Sequence, residues 1–377
     1  MKSETASFEL KFLVDEMQSL IAGKIDQIYQ QGKDFLLFQI HIPNKGKVWL
    51  RVIPGKILFL SSVKGITPEK PPGFCVYLRK YLKGGRIRAI TQKGFERIVE
   101  IVVETKEQKY LLVFELFSRG NMVVCDKDYM VFSALEKQDV GNRVVRAKHR
   151  YEFPDAPTDF FTIKEDELKE LLAKSEKDTV VKAIAVDLRL GGVYAEEICQ
   201  RSDVDGDKSP EALEKEEIKS LFEAVVSLRE ENPQPRQVWK GDSLVDIVPV
   251  YLKHYENLES KGFSTFNEAL DAFLSAHEQE KHETSVKKEA STKLDKVSRM
   301  IEEQSKRLRG LEKSRAENQR KGELIFENYS ALDGILKEVR RLIKSNSLEG
   351  VEEILKNTAA IKSIDKKKRE IVVEVGE

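Results

Sequence analysis

Apolar residues at Leu10, Leu13, Val14, Met17, Leu20 and Ile21 recur at helical spacing, with Ser7 placed to cap the run and Gly23 to stop it. The spacing predicts a helix from Ser7 to Ala22. Shorter runs follow: LLFQIHI (36–42), VWLRVI (48–53) and KILFLSS (56–62), separated by Pro43-Asn44-Lys45-Gly46 and by Pro54-Gly55. Alternating runs between such residues read as strands joined by turns. Pro71-Pro72 opens a short helix, Gly73 to Leu82, which Gly84-Gly85 closes. Three more strand signals come next, RIVEIVV (97–103), YLLVFELF (110–117) and NMVVCD (121–126). Strands in runs, with helices at their edges, indicate an α+β fold rather than a parallel βαβ sheet.

Beyond Pro154 and Pro157 the composition changes. Residues 163–230 read as helices and contain LRLGGVYAEEIC, Leu188 to Cys199. An apolar residue, a Gly-Gly turn and a second helix opening on Tyr194 match a helix–hairpin–helix, whose backbone N–H groups can meet a phosphate. Glu196 and Glu197 oppose that use by charge, and the alternative is a plain interhelical turn. Residues 233–276 hold PQPRQVW, a strand signal at LVDIVPV and the helix FNEALDAFL. From His277 to Arg320 the chain is almost entirely polar, with Ala290, Leu294, Val297, Ile301, Gln304, Leu308 and Leu311 in a heptad seam. So narrow a stripe needs a partner. Either two chains dimerise through it or a returning arm lies beyond residue 377, and the lack of a second heptad run favours the arm. Residues 324–362 read as a compact helical unit, followed by a strand-like EIVVEV with nothing after it for support.

Length suits two or three domains. No stretch reaches about 18 apolar residues, so no membrane span is expected. The start, MKSETASFELKF, lacks the apolar core of a signal peptide. Cys75, Cys125 and Cys199 are too few and too scattered for a disulfide framework or a four-cysteine zinc site, which fits a reducing cytoplasm. Basic and acidic residues balance at 64 each. From Lys70 to Lys93, however, seven Lys or Arg occur with no acid. Arg79, Lys80 and Lys83 fall within about a helical turn, and Arg86 and Arg88 alternate along the next strand, which makes a one-sided cationic surface. Such a surface either faces solvent or meets phosphate, and the missing acids favour phosphate and hence nucleic acid. A second basic run joins Arg143, Arg146, Lys148, His149 and Arg150. The neighbours Glu96 and Arg97 form either a surface ion pair or a base-edge reader, one accepting and the other donating, with Glu9 joining if the fold brings it near. Asp203, Asp205 and Asp207 fail the spacing of a calcium loop. No GxSxG, GxxxxGKS or HExxH occurs, so neither catalysis nor a metal or other cofactor is expected.

Taken in order, SFELKFLVDEM, PPGFCVYLRKYLKGGRI, GFERI, FELFSRGN, YEFPDAP, LGGVYAEEIC and FNEALDAFL, then the heptad run, resemble the N-terminal half of the NFACT family. The resemblance covers essentially all 377 residues. It implies a strand-rich domain over 1–160, similar to the N-terminal domain of formamidopyrimidine-type glycosylases. A helix–hairpin–helix domain over 161–232, a return segment over 233–276, a coiled-coil arm over 277–322 and a helical tip over 323–377 would follow. It also implies ribosome-associated quality control. Family members bind a large ribosomal subunit holding an obstructed peptidyl-tRNA and recruit charged tRNA to extend the stalled chain. An Asp-Arg pair needed for that tailing corresponds to Glu96-Arg97, and the first-helix acid to Glu9, each one methylene longer. Arg79, Lys80, Lys83, Arg86 and Arg88, with Arg119 and Asn121 of FELFSRGN, are the other implied RNA contacts. The family's second RNA-binding domain has no counterpart in these residues. Met1-Lys2-Ser3-Glu4 lacks the glycosylases' N-terminal proline, so that chemistry is not expected. A non-catalytic glycosylase-like binder and an extracellular-matrix adhesin are the competing readings.

Overall fold

The computed structural model describes residues 2, 4–65, 67, 70–140, 143–154, 158–345, 361–365 and 370–374, with 278–290 described in backbone only. It divides into two units, Met1–His282 and Glu283–Glu377. The first unit opens with α1 (Ser7–Met17) and a 3-10 turn, Gln18–Leu20. Ala6, not Ser7, is the N-cap, because its N–H donates to the Glu9 carboxylate at 2.9 Å. The helix also stops short of its apolar spacing. Ala22 takes a left-handed φ of 68° and turns the chain into the sheet.

The strands β1 (Lys24–Gln31), β2 (Phe35–Ile42), β3 (Gly46–Ile53) and β4 (Ile57–Ser61) form one antiparallel meander. After α2 (Gly73–Leu82), a second meander comprises β5 (Arg86–Gln92), β6 (Ile98–Glu104), β7 (Lys109–Glu115), β8 (Asn121–Cys125) and β9 (Val131–Ala134). They join into a nine-stranded sheet ordered β4-β3-β2-β1-β5-β6-β7-β8-β9. The seam between them is narrow, pairing Lys24 with Arg86 and flanked by backbone bonds such as Ala22 to Ile87. The strand KIDQIYQQ has no clean alternation in sequence. A bulge between Ile25 and Gln27 turns Ile25 and Ile28 to the same buried side, a spacing of three that does not read as a strand. Leu10, Leu13 and Met17 of α1 and Cys75, Leu78 and Leu82 of α2 pack on this sheet. The turns at Gly55 and Gly120 touch so closely that a Cβ on Gly120 would lie 1.7 Å from the Gly55 nitrogen.

A small hairpin, β10 (Gln138–Val140) with β11 (Arg143–Val145), leads to the helices α3 (Glu165–Ala173), α4 (Val180–Val186), α5 (Gly192–Ser202) and α6 (Lys215–Arg229). These enclose a second core, into which Phe8 of α1 and Phe95 of the β5–β6 turn are inserted. A three-stranded sheet of β12 (Arg236–Lys240), β13 (Ser243–Val248) and β14 (Glu259–Gly262) follows, then α7 (Phe266–Glu327), a continuous helix of 62 residues. Glu16 caps α7 by accepting the N–H groups of Phe266 at 2.7 Å and Asn267 at 2.8 Å.

In the second unit, Leu294, Val297, Ile301, Leu308 and Leu311 of the heptad run all stay exposed, while the side chain of Ala290 lies outside the described residues. The helix α8 (Tyr329–Ser345) packs Val339 against Ile361 and Ile371 of the strands β15 (Ile361–Asp365) and β16 (Glu370–Val373). The strand within EIVVEV therefore does have a partner, and it precedes it in the chain. Much of the expected helical unit, residues 346–360, lies outside the described residues. No helix among the described residues is long and apolar enough to cross a membrane.

Candidate nucleic-acid interface

The β5–β6 turn is positioned by burial at its centre. Phe95, only 1% exposed, stacks on Phe160 at 5.5 Å, while Gln92 Nε2 donates to the carbonyls of Ser7 and Glu96. The turn is thereby tied to α1 on one side and to the helical core on the other. Glu96 and Arg97 are left facing a pocket of about 530 Å³, which Glu9, Phe117, Arg189 and the Gly191-Gly192 turn also line. Glu9, Glu96 and Arg97, 87 or more residues apart along the chain from first to second, thus share one cavity.

Their pairings differ from a simple Glu96–Arg97 couple. Glu96 bonds Arg189, and Arg97 Nη1 donates to Glu4 at 2.8 Å. Glu9 lies deeper, 1% exposed, and accepts from Lys2 at 2.5 Å, Ala6 N–H at 2.9 Å and the Tyr194 hydroxyl at 2.7 Å. Lys2 also meets Asp246 at 3.0 Å, and Tyr255 donates to Asp246 at 3.0 Å. Burial raises the Glu9 carboxyl above its ordinary range by more than Lys2 beside it pulls it down. For Lys2 burial pulls the other way, and the Glu9 and Asp246 carboxylates outweigh it, so its ammonium is held above its usual value. The Tyr194 phenol is pushed well up by burial and then by Glu9. Glu9 is therefore a clamp between the chain start, α1 and α5, with its acceptors already occupied. Gly191, at φ 87°, caps α5 with no side-chain bond, and the first residues of that helix, Gly192 to Tyr194, line the same pocket. Glu197 is turned away from it, wholly buried against Arg201, and Glu196 lies beside His254.

The cationic stretch divides. Arg79 is half-buried, donating to the Ile28 carbonyl at 2.6 Å and lying 5.2 Å from the Tyr29 ring. Lys80, Lys83, Arg86 and Arg88 are exposed and line a separate hollow with Lys24 and Lys106. Arg119 is exposed at the turn against Gly55. Asn121 is wholly buried, spending its amide on the Glu136 carbonyl and N–H and on the Met122 N–H. In the second basic run, Arg143 turns inward to Glu115 and Tyr151, whereas Arg146, Lys148 and Arg150 stay exposed. Among the described residues no cluster of potential metal ligands occurs, and Asp203 merely ends α5 with φ 57°. Lys2, Arg189, Tyr194 and Asp246 were invisible as site residues in the sequence, save that Arg189 sits two positions before Gly191-Gly192.

A strand-rich domain whose first helix and hairpin turn close a pocket against a Gly-Gly helix pair defines the class. Residues 7–368 match the NFACT N-terminal and middle domains, and the chain belongs to that family. It is 31% identical over 374 residues to the archaeal Rqc2 homolog aRqcH of Methanocaldococcus jannaschii, covering 94% of this chain and 55% of that one. It is 23% identical to the ribosome quality control complex subunit NEMF of Homo sapiens, over 93% of this chain and 35% of that protein. The chain thus spans about half the length of the archaeal relative and a third of the human one. In fold it is similar to the N-terminal part of the fibronectin/fibrinogen-binding protein of Streptococcus suis, with a TM-score of 0.58 and 20% identity over 72% of this chain and all of that one.

Proposed function

We propose that this protein serves ribosome-associated quality control. It binds a large ribosomal subunit that still holds an obstructed peptidyl-tRNA and recruits tRNA for C-terminal tailing of the stalled chain. The observation that carries the reading is family membership across residues 7–368, joined to relatives named as ribosome quality control factors. The pocket that gathers Glu9, Glu96 and Arg97 supports it. On this reading the protein is a cytoplasmic adaptor that performs no covalent chemistry itself. Glu96, Arg97 and Arg189 face tRNA, Lys80, Lys83, Arg86 and Arg88 meet RNA phosphates, and Arg79 and Glu9 hold those surfaces in place. The N-terminal domain is of glycosylase type, α4 and α5 act as a helix–hairpin–helix, and α7 is one strand of a coiled coil. Its seam is covered by a returning arm or by a second copy.

Co-sedimentation with isolated large subunits, with and without tRNA, tests this. Association that Arg97→Ala and Lys83→Ala weaken is the expected result. Failure to associate with either subunits or free tRNA at low salt would remove the reading.

A further inference from the structure

Arg97 is already engaged in the free protein. Its Nη1 donates to the Glu4 carboxylate at 2.8 Å, and among the described residues no other carboxylate lies within ion-pair distance of it. Glu4 sits in no helix or strand, so its place is set by what holds the chain on either side. Before it, Lys2, its side chain 8% exposed, is fixed between Glu9 at 2.5 Å and Asp246 at 3.0 Å. After it, the Thr5 N–H donates to the Lys56 carbonyl at 2.9 Å and the Ala6 N–H to Glu9 at 2.9 Å. The start of the chain is therefore a strap tied down on both sides of Glu4, which itself lines the pocket.

Burial sets Glu4 apart from the other acids there. Four carboxylates line the pocket against three cations, Lys2, Arg97 and Arg189. Glu9, Glu96 and Asp246 are largely buried, whereas the Glu4 side chain is 53% exposed. An ion pair with so exposed a carboxylate adds little to the stability of a fold. Removing Glu4 would leave the pocket lining with three charges of each sign. A carboxylate also offers a guanidinium the same kind of charged oxygen acceptor that a phosphate does. Glu4 thus stands where an incoming ligand would bond Arg97.

We infer that Glu4 is an internal competitor for Arg97, occupying the guanidinium in the free protein until RNA displaces it. Only the Glu4 side chain has to swing away, and the strap stays tied. This rests on the reading of Arg97 as a tRNA contact. Binding through Arg97 is then weakened according to the fraction of molecules in which the guanidinium is free. For an exposed pair that amounts to about a two- to sixfold loss of affinity.

The test is tRNA binding by the purified protein at about 100 mM salt, for the parent, Glu4→Ala, Arg97→Ala and the double variant. Glu4 is exposed and outside every regular element, so Glu4→Ala keeps the fold, which an unchanged urea midpoint checks. That substitution should tighten binding about two- to sixfold when Arg97 is present and change nothing when Arg97 is already Ala. An equal gain in both backgrounds would overturn the inference, because the lost charge would then act on the RNA at a distance. No gain beside an intact Arg97 would overturn it as well. Weaker binding would do the same by making Glu4 itself an RNA contact. A parent that binds no tRNA, or an Arg97→Ala variant that binds as the parent does, would instead refute the underlying reading.

Discussion

Leu78 in α2 and Leu308 in α7 are the same side chain in the same secondary structure, yet one is wholly buried and the other 58% exposed. The difference lies in the width of the apolar face. In α2, Cys75, Leu78 and Leu82 are buried while Phe74, Tyr77 and Tyr81 pack at the flanks, wide enough to seat the helix on the sheet. The stripe of α7 is two positions in seven and stays exposed among the described residues of its own unit, so that helix relies on the strong helical propensity of its Lys, Glu and Arg residues. Tertiary packing holds the first region, and local preference holds the second.

The packed unit should therefore be brittle. Gly120→Ala should cost more than about 4 kcal/mol, because both the Gly55 backbone and a φ of 69° oppose a Cβ there, and a collapsed urea midpoint would report it. A near-neutral result would mean the two turns can part freely. Lys2→Met should cost about 3 to 5 kcal/mol by leaving Glu9 and Asp246 buried without their cation. Glu9 already has a raised pKa, so the stability linked to its protonation is complete below its unfolded pKa and is lost as pH rises through the folded value. Removing Lys2 raises that folded value further. Denaturation at pH 5 and pH 8 (values bracketing about the ordinary carboxyl and neutral ranges) should thus show the smaller deficit at the lower pH.

Leu78→Ala should cost about 2 to 5 kcal/mol. Leu308→Ala, the sharpest contrast, should stay within about 0.5 kcal/mol for a monomeric chain. A larger, concentration-dependent loss on sedimentation and melting would show that a second copy covers the stripe. The smallest effect concerns thiols. Burial pushes Cys125 up to about 12, so its share of stability is complete below the unfolded value near pH 9 and lost as pH rises toward 12. A thiol reagent should label native protein very slowly at neutral pH, and rapid labelling of Cys125 would contradict its burial.

Much of this was legible in the chain. The alternation in LLFQIHI and VWLRVI and the punctuation around α2 were sufficient for their elements, because those signals are local. The strand β1 was hidden by its bulge, and β9 to β11 are too short to carry a period. Glu96 and Arg97 stood out as neighbours, but their partners Arg189 and Glu4 lie 93 residues away in each case. Tyr194 is 185 residues from Glu9. Nothing in spacing or composition reports such pairings. The family resemblance singled out Glu9, and only the fold shows why a carboxylate is held there.

The seam at Lys24 and Arg86 has a kinetic consequence. Each meander is built from hairpins between successive strands and can zip up locally, but the seam joins residues 62 apart through a single ladder pair. Closing that loop costs entropy before few contacts repay it, so the nine-stranded sheet should assemble as two preformed halves that dock late. Pulse-labelled hydrogen exchange would see β2–β3 and β6–β7 protected before the amides of Ala22 and Ile87; simultaneous protection would mean one nucleus spans both halves. The β5–β6 hairpin begins at that seam, which makes its cationic end the last part of the sheet to be set in place.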